Sequence, residues 1–334
     1  MTMVSLGDLA QSFLLKSQAT RLKRDADRIT GALASGRVAD VGAALSGDLS
    51  RLTADSRARA VTAGYQSAAR EAAAQARATQ AALDLVGGAA QALVSPLLRA
   101  SQLNLADQVA LAGEEARGRL QTALAALNTA SGGRSLFAGQ AINRPAVAES
   151  GVLLAALRAE LAGATTADAA MARLSAWFDA PTGFAAMAYQ GGIALEDVAV
   201  SATDRVWLGV TAADPALRAV LKGLTAAALI EDPALPLPLD ESKTLARLAA
   251  EALLTGGERV TDLAARLGIS EERIDAAQSR NAADLLTLEL AQAEAIRSDP
   301  ERLAVELEAV QTSLETVFAI TARLSRLNLT DFLR

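Results

Sequence analysis

The chain has 334 residues, of which 51% are hydrophobic but only 3% aromatic, and a formal net charge of −6. It contains no histidine and no cysteine, which excludes Cys/His zinc sites, histidine-based triads and thiol nucleophiles. Arginine is scattered along the predicted helices and mixed with Asp and Glu, without the basic stripe that nucleic acid requires. The length suits two or three domains at ~150 residues each. A surplus of Ala and Leu over aromatics predicts long helices packed closely through small residues, a mainly α protein.

The start, Met1-Thr2-Met3-Val4-Ser5-Leu6-Gly7-Asp8, lacks a basic n-region, and Asp8 interrupts any apolar core, so no Sec-type signal peptide is expected. No uninterrupted apolar run approaches the ~20 residues of a bilayer span. Residues ~5–34 read as one helix. Leu15, Ala19, Leu22, Ala26, Ile29 and Leu33 recur at alternating spacings of four and three, which places them on one seam. Ser35-Gly36 is the expected stop.

From about Leu45 to Asn128 a longer helical region keeps the same spacing through Ala72, Ala76, Thr79, Leu83, Val86, Ala90, Leu93 and Leu97. Gly87-Gly88 and Ser95-Pro96 predict a kink or break within it. Ser131-Gly132-Gly133-Arg134 ends the region, and Ser135–Gly139 with Arg144-Pro145 reads as a turn and short strand. Residues ~140–237 hold Trp177, Trp207, Phe178 and Phe184. There, short helices are predicted at ~151–162, ~166–179 and ~214–231. Two-residue alternation on either side of Thr203-Asp204 predicts a β-hairpin. Asp232-Pro233 to Pro238 reads as a stiff linker.

Beyond it, a helix is predicted over Ser242–Gly256, a turn at Gly256-Gly257, and a further helix capped by Ser270 that runs to about Arg297. Asp299 followed by Pro300 marks a fresh helix start. That last helix carries a second seam of Leu303, Leu307, Val310, Leu314, Val317, Thr321 and Leu324, followed by a short apolar tail that includes Phe332. The layout is symmetrical: an N-terminal heptad helix (1–40), half of a helical core (41–139), an inserted small α+β domain (140–237), the second core half (238–298) and a C-terminal heptad helix (299–334).

Chemistry-bearing motifs are scarce. Gly133–Gly139 lacks the Gly-Lys-Ser/Thr of a phosphate loop, because Gln140 follows Gly139. Glu114-Glu115 and Glu271-Glu272 read as solvated or capping charges. No enzymatic activity and no cofactor are expected. The seams are the informative feature. A lone helix of ~30 residues is marginal in water, so stripes at both chain ends point to assembly. The candidate assembly residues are Leu15, Leu22, Ile29, Leu33, Leu303, Leu307, Val310, Leu314, Val317, Leu324 and Phe332.

Three segments carry a resemblance to a known family. Ala34-Ser35-Gly36-Arg37 resembles the Ser-Ser-Gly-Lys/Arg turn of flagellins. Gly133-Arg134-Ser135-Leu136-Phe137-Ala138-Gly139, with Pro145 following, resembles the Gly-Arg-Tyr-Leu-Phe-Ser/Ala-Gly segment of the junction members of that family. Leu324 through Leu329-Thr330-Asp331-Phe332-Leu333 resembles their Leu-Ser-Leu-Phe-Asp-Tyr-Leu tail. The chain departs from the pattern in having a short loop with only Asp40 after the first turn, and Ser135 in place of tyrosine. The resemblance to the flagellin family implies a long antiparallel bundle with terminal coiled-coil helices, acting as a structural subunit between hook and filament. It also implies export without a cleaved signal peptide, an extracellular location, a chaperone before secretion, and partners comprising copies of itself in a ring, an adjacent hook-associated protein and flagellin. A filament flagellin and a cytoplasmic helical adaptor are the alternatives.

Overall fold

The computed structural model describes the backbone of residues 6–45 and 47–332, and the side chains of residues 10–45 and 47–323. The fold is mainly α, as expected. Its helices are α1 (Leu6–Ser35), α2 (Val41–Ala44), α3 (Ser50–Gln102), α4 (Ala106–Leu127), α5 (Ser150–Leu161), α6 (Ala167–Asp179), α7 (Phe184–Met187), α8 (Pro215–Ala228), α9 (Leu239–Ala295) and α10 (Pro300–Phe332). Two minimal hairpins pair β1 (Ala130–Ser131) with β2 (Arg134–Ser135), and β3 (Val198–Ala199) with β4 (Arg205–Val206), both antiparallel. The chain divides into a terminal unit, residues 1–61 and 284–334, and a central unit, residues 62–283.

In the central unit α3 and α9 run antiparallel. Gln278 donates its side-chain amide to the Ala69 carbonyl at 3.1 Å, while Gly87 lies against Val260 further along. Buried alanines at 69, 72, 73, 76, 82, 89 and 90 line α3, so the backbones approach closely and packing rather than bulk holds the pair. One continuous core joins these helices to α4, α5, α6 and α8. Trp177, Phe178 and Phe184 form its aromatic cluster, with ring centroids 5.1–6.2 Å apart.

Three expectations need correction. Of the kink or break expected in α3, the break is excluded, since the helix runs through Gly87-Gly88 and Pro96 and the chain breaks later, at Leu103-Asn104-Leu105. A proline inside a helix costs about 3 kcal/mol, but Leu93 and Leu97 beside it are fully buried, and two such side chains together stabilise by about as much. α9 is likewise one helix, with no turn at Gly256-Gly257 and no cap at Ser270, which is buried in its middle. Residues 231–238 form a packed strap, since Asp232 and Leu235 are buried. The absence of a long apolar run also proves a poor guide, because small residues raise the average. Among the described residues, α3 alone is long and apolar enough, by length and composition, to cross a membrane. Its leucines and valine at 83, 86, 93 and 97 lie in the protein core.

Polar clasps fix the surroundings. Asp232 accepts from the Arg158 guanidinium at 2.8–2.9 Å and from the Ala234 N–H at 3.0 Å. Burial by itself would raise this carboxyl's pKa, but these hydrogen bonds and the charges of Arg158 and Arg117 outweigh it and hold the value below the ordinary carboxylate range. A depressed native pKa contributes stability above the unfolded value, about 3.9, that is lost as pH falls through the native value. Asp232→Asn is therefore expected to lower stability at pH 7 by about 1–3 kcal/mol. Denaturant titration at pH 7 and pH 3 should show the gap between variant and parent narrowing in acid.

Candidate assembly interface

The terminal unit is built on α1 and α10, which come from opposite ends of the sequence and pack antiparallel. Ile29 and Ala32 meet Leu303 in a small buried cluster, with Leu33, Leu307 and Val310 against it. Further along, Leu22 and Val317 share the floor of a groove of about 550 Å³ whose walls include Arg21, Asp25, Thr312 and Thr316. The two sequence stripes therefore face each other. Ile29, Leu303 and Val317 are buried, while Leu15, Leu22, Leu33, Leu307, Val310 and Leu314 are half-buried. The side chains of Leu324 and Phe332 lie outside the described residues.

The helix ends are tied together where the chain leaves α1 and enters α10. Gly36, at φ +68°, follows the last residue of α1, as the Ser35-Gly36 stop predicts. Its carbonyl accepts from the Ser298 N–H at 3.0 Å, and the Val38 N–H donates to the Ile296 carbonyl at 2.9 Å. Between these bonds Arg37 and Arg297 form an antiparallel bridge. The buried Ser298 hydroxyl donates to the Ala32 carbonyl at 3.3 Å, and the Ser35 hydroxyl donates to the same oxygen at 3.4 Å, in the last turn of α1 where carbonyls lack helical partners. Asp299 caps α10 by accepting from the N–H groups of Glu301 and Arg302, the arrangement expected from Asp-Pro. Arg28 approaches Glu306 at 3.9 Å with both side chains about half exposed, so this pair contributes little.

One stripe on each helix is thus covered and the rest is not. Phe13 is 72% exposed, Leu14 59%, Val305 69% and Phe318 59%. None of these four sits on a heptad seam, so the 4-3 spacing gave no sign of them. The Phe13-Leu14 pair is visible only as apolar residues outside the repeat. Ser298 was equally unforeseen, since its role depends on a backbone carbonyl 266 residues away.

The segment from Gly133 to Gly139 lies in the central unit and is mostly interior. Gly132 and Gly133 both have positive φ and make the two-residue turn of the β1–β2 hairpin, a conformation glycine supplies without strain. Arg134 is exposed, whereas Leu136, Phe137 and Ala138 are buried. The Phe137 carbonyl accepts from Ala212 at 2.9 Å, and the Ala138 carbonyl from Gly192 at 2.9 Å. Gly139 adopts φ +56°, and a Cβ there would lie 2.2 Å from the Ile193 carbonyl oxygen. The segment locks the end of α4 to the loops that follow it. Gly139→Ala is expected to destabilise the central unit by about 2 kcal/mol or more, measurable as a lowered midpoint in thermal circular dichroism.

Among the described residues no group of three or more His, Cys, Asp or Glu is placed to hold a metal ion. No protein-family model matches the chain, and no curated protein matches it. The chain is similar in structure to one from Vibrio parahaemolyticus described as a candidate flagellar hook-associated protein, with a TM-score of 0.50 and 14% sequence identity. The match covers 73% of this chain and 95% of that one. The two share a fold.

Proposed function

We propose that the chain is a structural subunit of the bacterial flagellum, assembling through α1 and α10. The observation that carries this reading is the antiparallel pair made from the two ends of the sequence, covered on one stripe and apolar beyond it. Fully burying a leucine or phenylalanine stabilises by about 1.5–3 kcal/mol, so the four exposed apolar residues named above offer a neighbour substantial binding energy. The likeness to the Vibrio chain supports placing the subunit among hook-associated proteins.

The resemblance of the Ser35-Gly36-Arg37 turn and the Gly133–Gly139 segment supports a finer assignment, the hook–filament junction, as in hook-associated protein 3. On this reading residues 1–40 and 299–334 are assembly segments, 41–139 and 238–298 are the two halves of the helical core, and 140–237 face outward. The partners are copies of itself in a ring, the adjacent hook-associated protein and flagellin, with an export chaperone before secretion. The protein carries out no catalysis, takes no cofactor and does not insert in membrane. It acts outside the cell, as part of the flagellum.

The test is a deletion strain examined by electron microscopy together with sheared, purified flagella from the parent. A junction role predicts the protein in the sheared fraction and, in the deletion, hooks without filaments and flagellin shed into the medium. Filaments missing with no flagellin released would favour a filament flagellin. Recovery of the protein only from the cytosol would reject the flagellar reading.

A further inference from the structure

The exposed faces of α1 and α10 carry opposite charge. Between residues 16 and 28, α1 has five cations (Lys16, Arg21, Lys23, Arg24, Arg28) against Asp25 and Asp27. Between residues 300 and 323, α10 has four carboxylates (Glu301, Glu306, Glu308, Glu315) against Arg302 and Arg323. Their spacing is informative. Lys16 and Lys23 are seven residues apart, as are Glu301, Glu308 and Glu315. Seven residues make almost two full turns, so each set forms a row along one face, repeating every ~10.5 Å.

All five side chains are exposed, and among the described residues none of them makes an ion pair. They lie off the seams, so the α1–α10 pairing leaves them unused. Each row also flanks an exposed apolar residue at helical spacing. Phe13 is three residues before Lys16, and Val305 lies four after Glu301 and three before Glu308, which puts each on its row's face.

Resting on the assembly reading above, we infer that a second copy of this chain docks by charge. The Lys16/Lys23 row with Phe13 on α1 of one copy faces the Glu301/Glu308/Glu315 row with Val305 on α10 of the next. Rows of equal repeat are complementary in sign and step, and an exposed apolar residue stands beside the charges on each, Phe13 at the start of the α1 row and Val305 between Glu301 and Glu308. Complementary rows of this kind set register and partner choice more than raw affinity. One copy carries both rows, so each subunit offers one half of the contact at α1 and the other at α10.

The experiment uses full-length protein and follows assembly by sedimentation and light scattering. Lys16→Glu with Lys23→Glu, and separately Glu308→Lys with Glu315→Lys, should each raise the concentration needed for assembly by about tenfold or more, since like charges then oppose each other. All four sites are exposed, so circular dichroism should show unchanged helicity. An equimolar mixture of the two double variants should assemble near the parent's concentration, because each supplies the charge its partner now lacks. Raising ionic strength to about 1 M, where screening acts within about 3 Å, should weaken the parent as well. If the parent assembles and both double variants match it, or their mixture does no better than either alone, the charge-row contact is wrong and the assembly reading stands. If the parent stays monomeric throughout, the assembly reading fails and this contact fails with it.

Discussion

Removing residues 1–34 or 300–334 is expected to abolish assembly while the central unit remains folded. Each terminal helix covers the other along its seam, so loss of α1 bares Leu303, Leu307 and Val310, and loss of α10 bares Ile29, Ala32 and Leu33. A helix of about 30 residues left alone is marginally stable in water, because most helical stability comes from packing of the apolar face. Either truncation should therefore melt the remaining terminal helix. The central unit draws on a different set of side chains, including Leu83, Leu93, Leu120, Phe137 and Phe178, all fully buried in its own core. The expected record is a helical signal reduced by roughly the two terminal helices, a retained cooperative melt, and a monomer in sedimentation velocity. Ile29→Asp gives the same test without shortening the chain. Placing a carboxylate at a fully buried seam position costs about 3–5 kcal/mol, which is enough to unpair the two helices. A truncation that assembled at the parent's concentration would remove α1 and α10 from the mechanism.

Much of the architecture was legible because the period of a helix is written in its apolar residues. The seams predicted α1 and α10, Asp299-Pro300 located the start of α10, and the alternation from Val198 to Val210 located the β3–β4 hairpin. Val200, Val206, Leu208 and Val210 are buried, whereas Val198 is half-buried and Ala202 is exposed. The hairpin's attachment to α9 was not legible, because it rests on polar groups far apart in sequence. Arg280 pairs with Asp204 at 2.6 Å, Asn281 donates to the Val200 carbonyl at 2.9 Å, and Arg266 stacks over the Trp207 ring at 4.6 Å. Arginine and asparagine on a helix look the same whether solvated or clasping a loop. Punctuation residues misled for a related reason. Pro96 and the glycine pairs read locally as breaks, yet helices of 53 and 57 residues are held by long-range packing that outweighs local preference. The exposed apolar residues of α1 and α10 are not legible in the 4-3 spacing, since a heptad stripe reports only the face that pairs.

The glycine pair in α9 turns this ambiguity into a test, because only one of its two members should gain stability from alanine. Gly257 has open space where a Cβ would go, whereas a Cβ on Gly256 would lie 2.9 Å from the Val220 backbone nitrogen and 3.1 Å from the Ala219 carbonyl carbon. Gly223 on α8 is in the same position, with a Cβ 2.8 Å from two Leu253 side-chain atoms and 3.1 Å from its backbone nitrogen. Two glycines facing across the α8–α9 crossing thus let the helices approach as closely as their backbones allow. Alanine is better than glycine inside a helix by about 0.8–1 kcal/mol, so Gly257→Ala should stabilise the central unit by about that amount. Gly256→Ala gains the same propensity but must push backbone atoms apart in a packed core, which costs about 1–3 kcal/mol or more. It should be neutral to clearly destabilising, and Gly256→Val should be worse by several kcal/mol because a branched side chain has no room on that face. Denaturant midpoints of the three variants check this order. If Gly256→Val were as stable as the parent, the close crossing of α8 and α9 would be wrong and the glycine pair would have another origin.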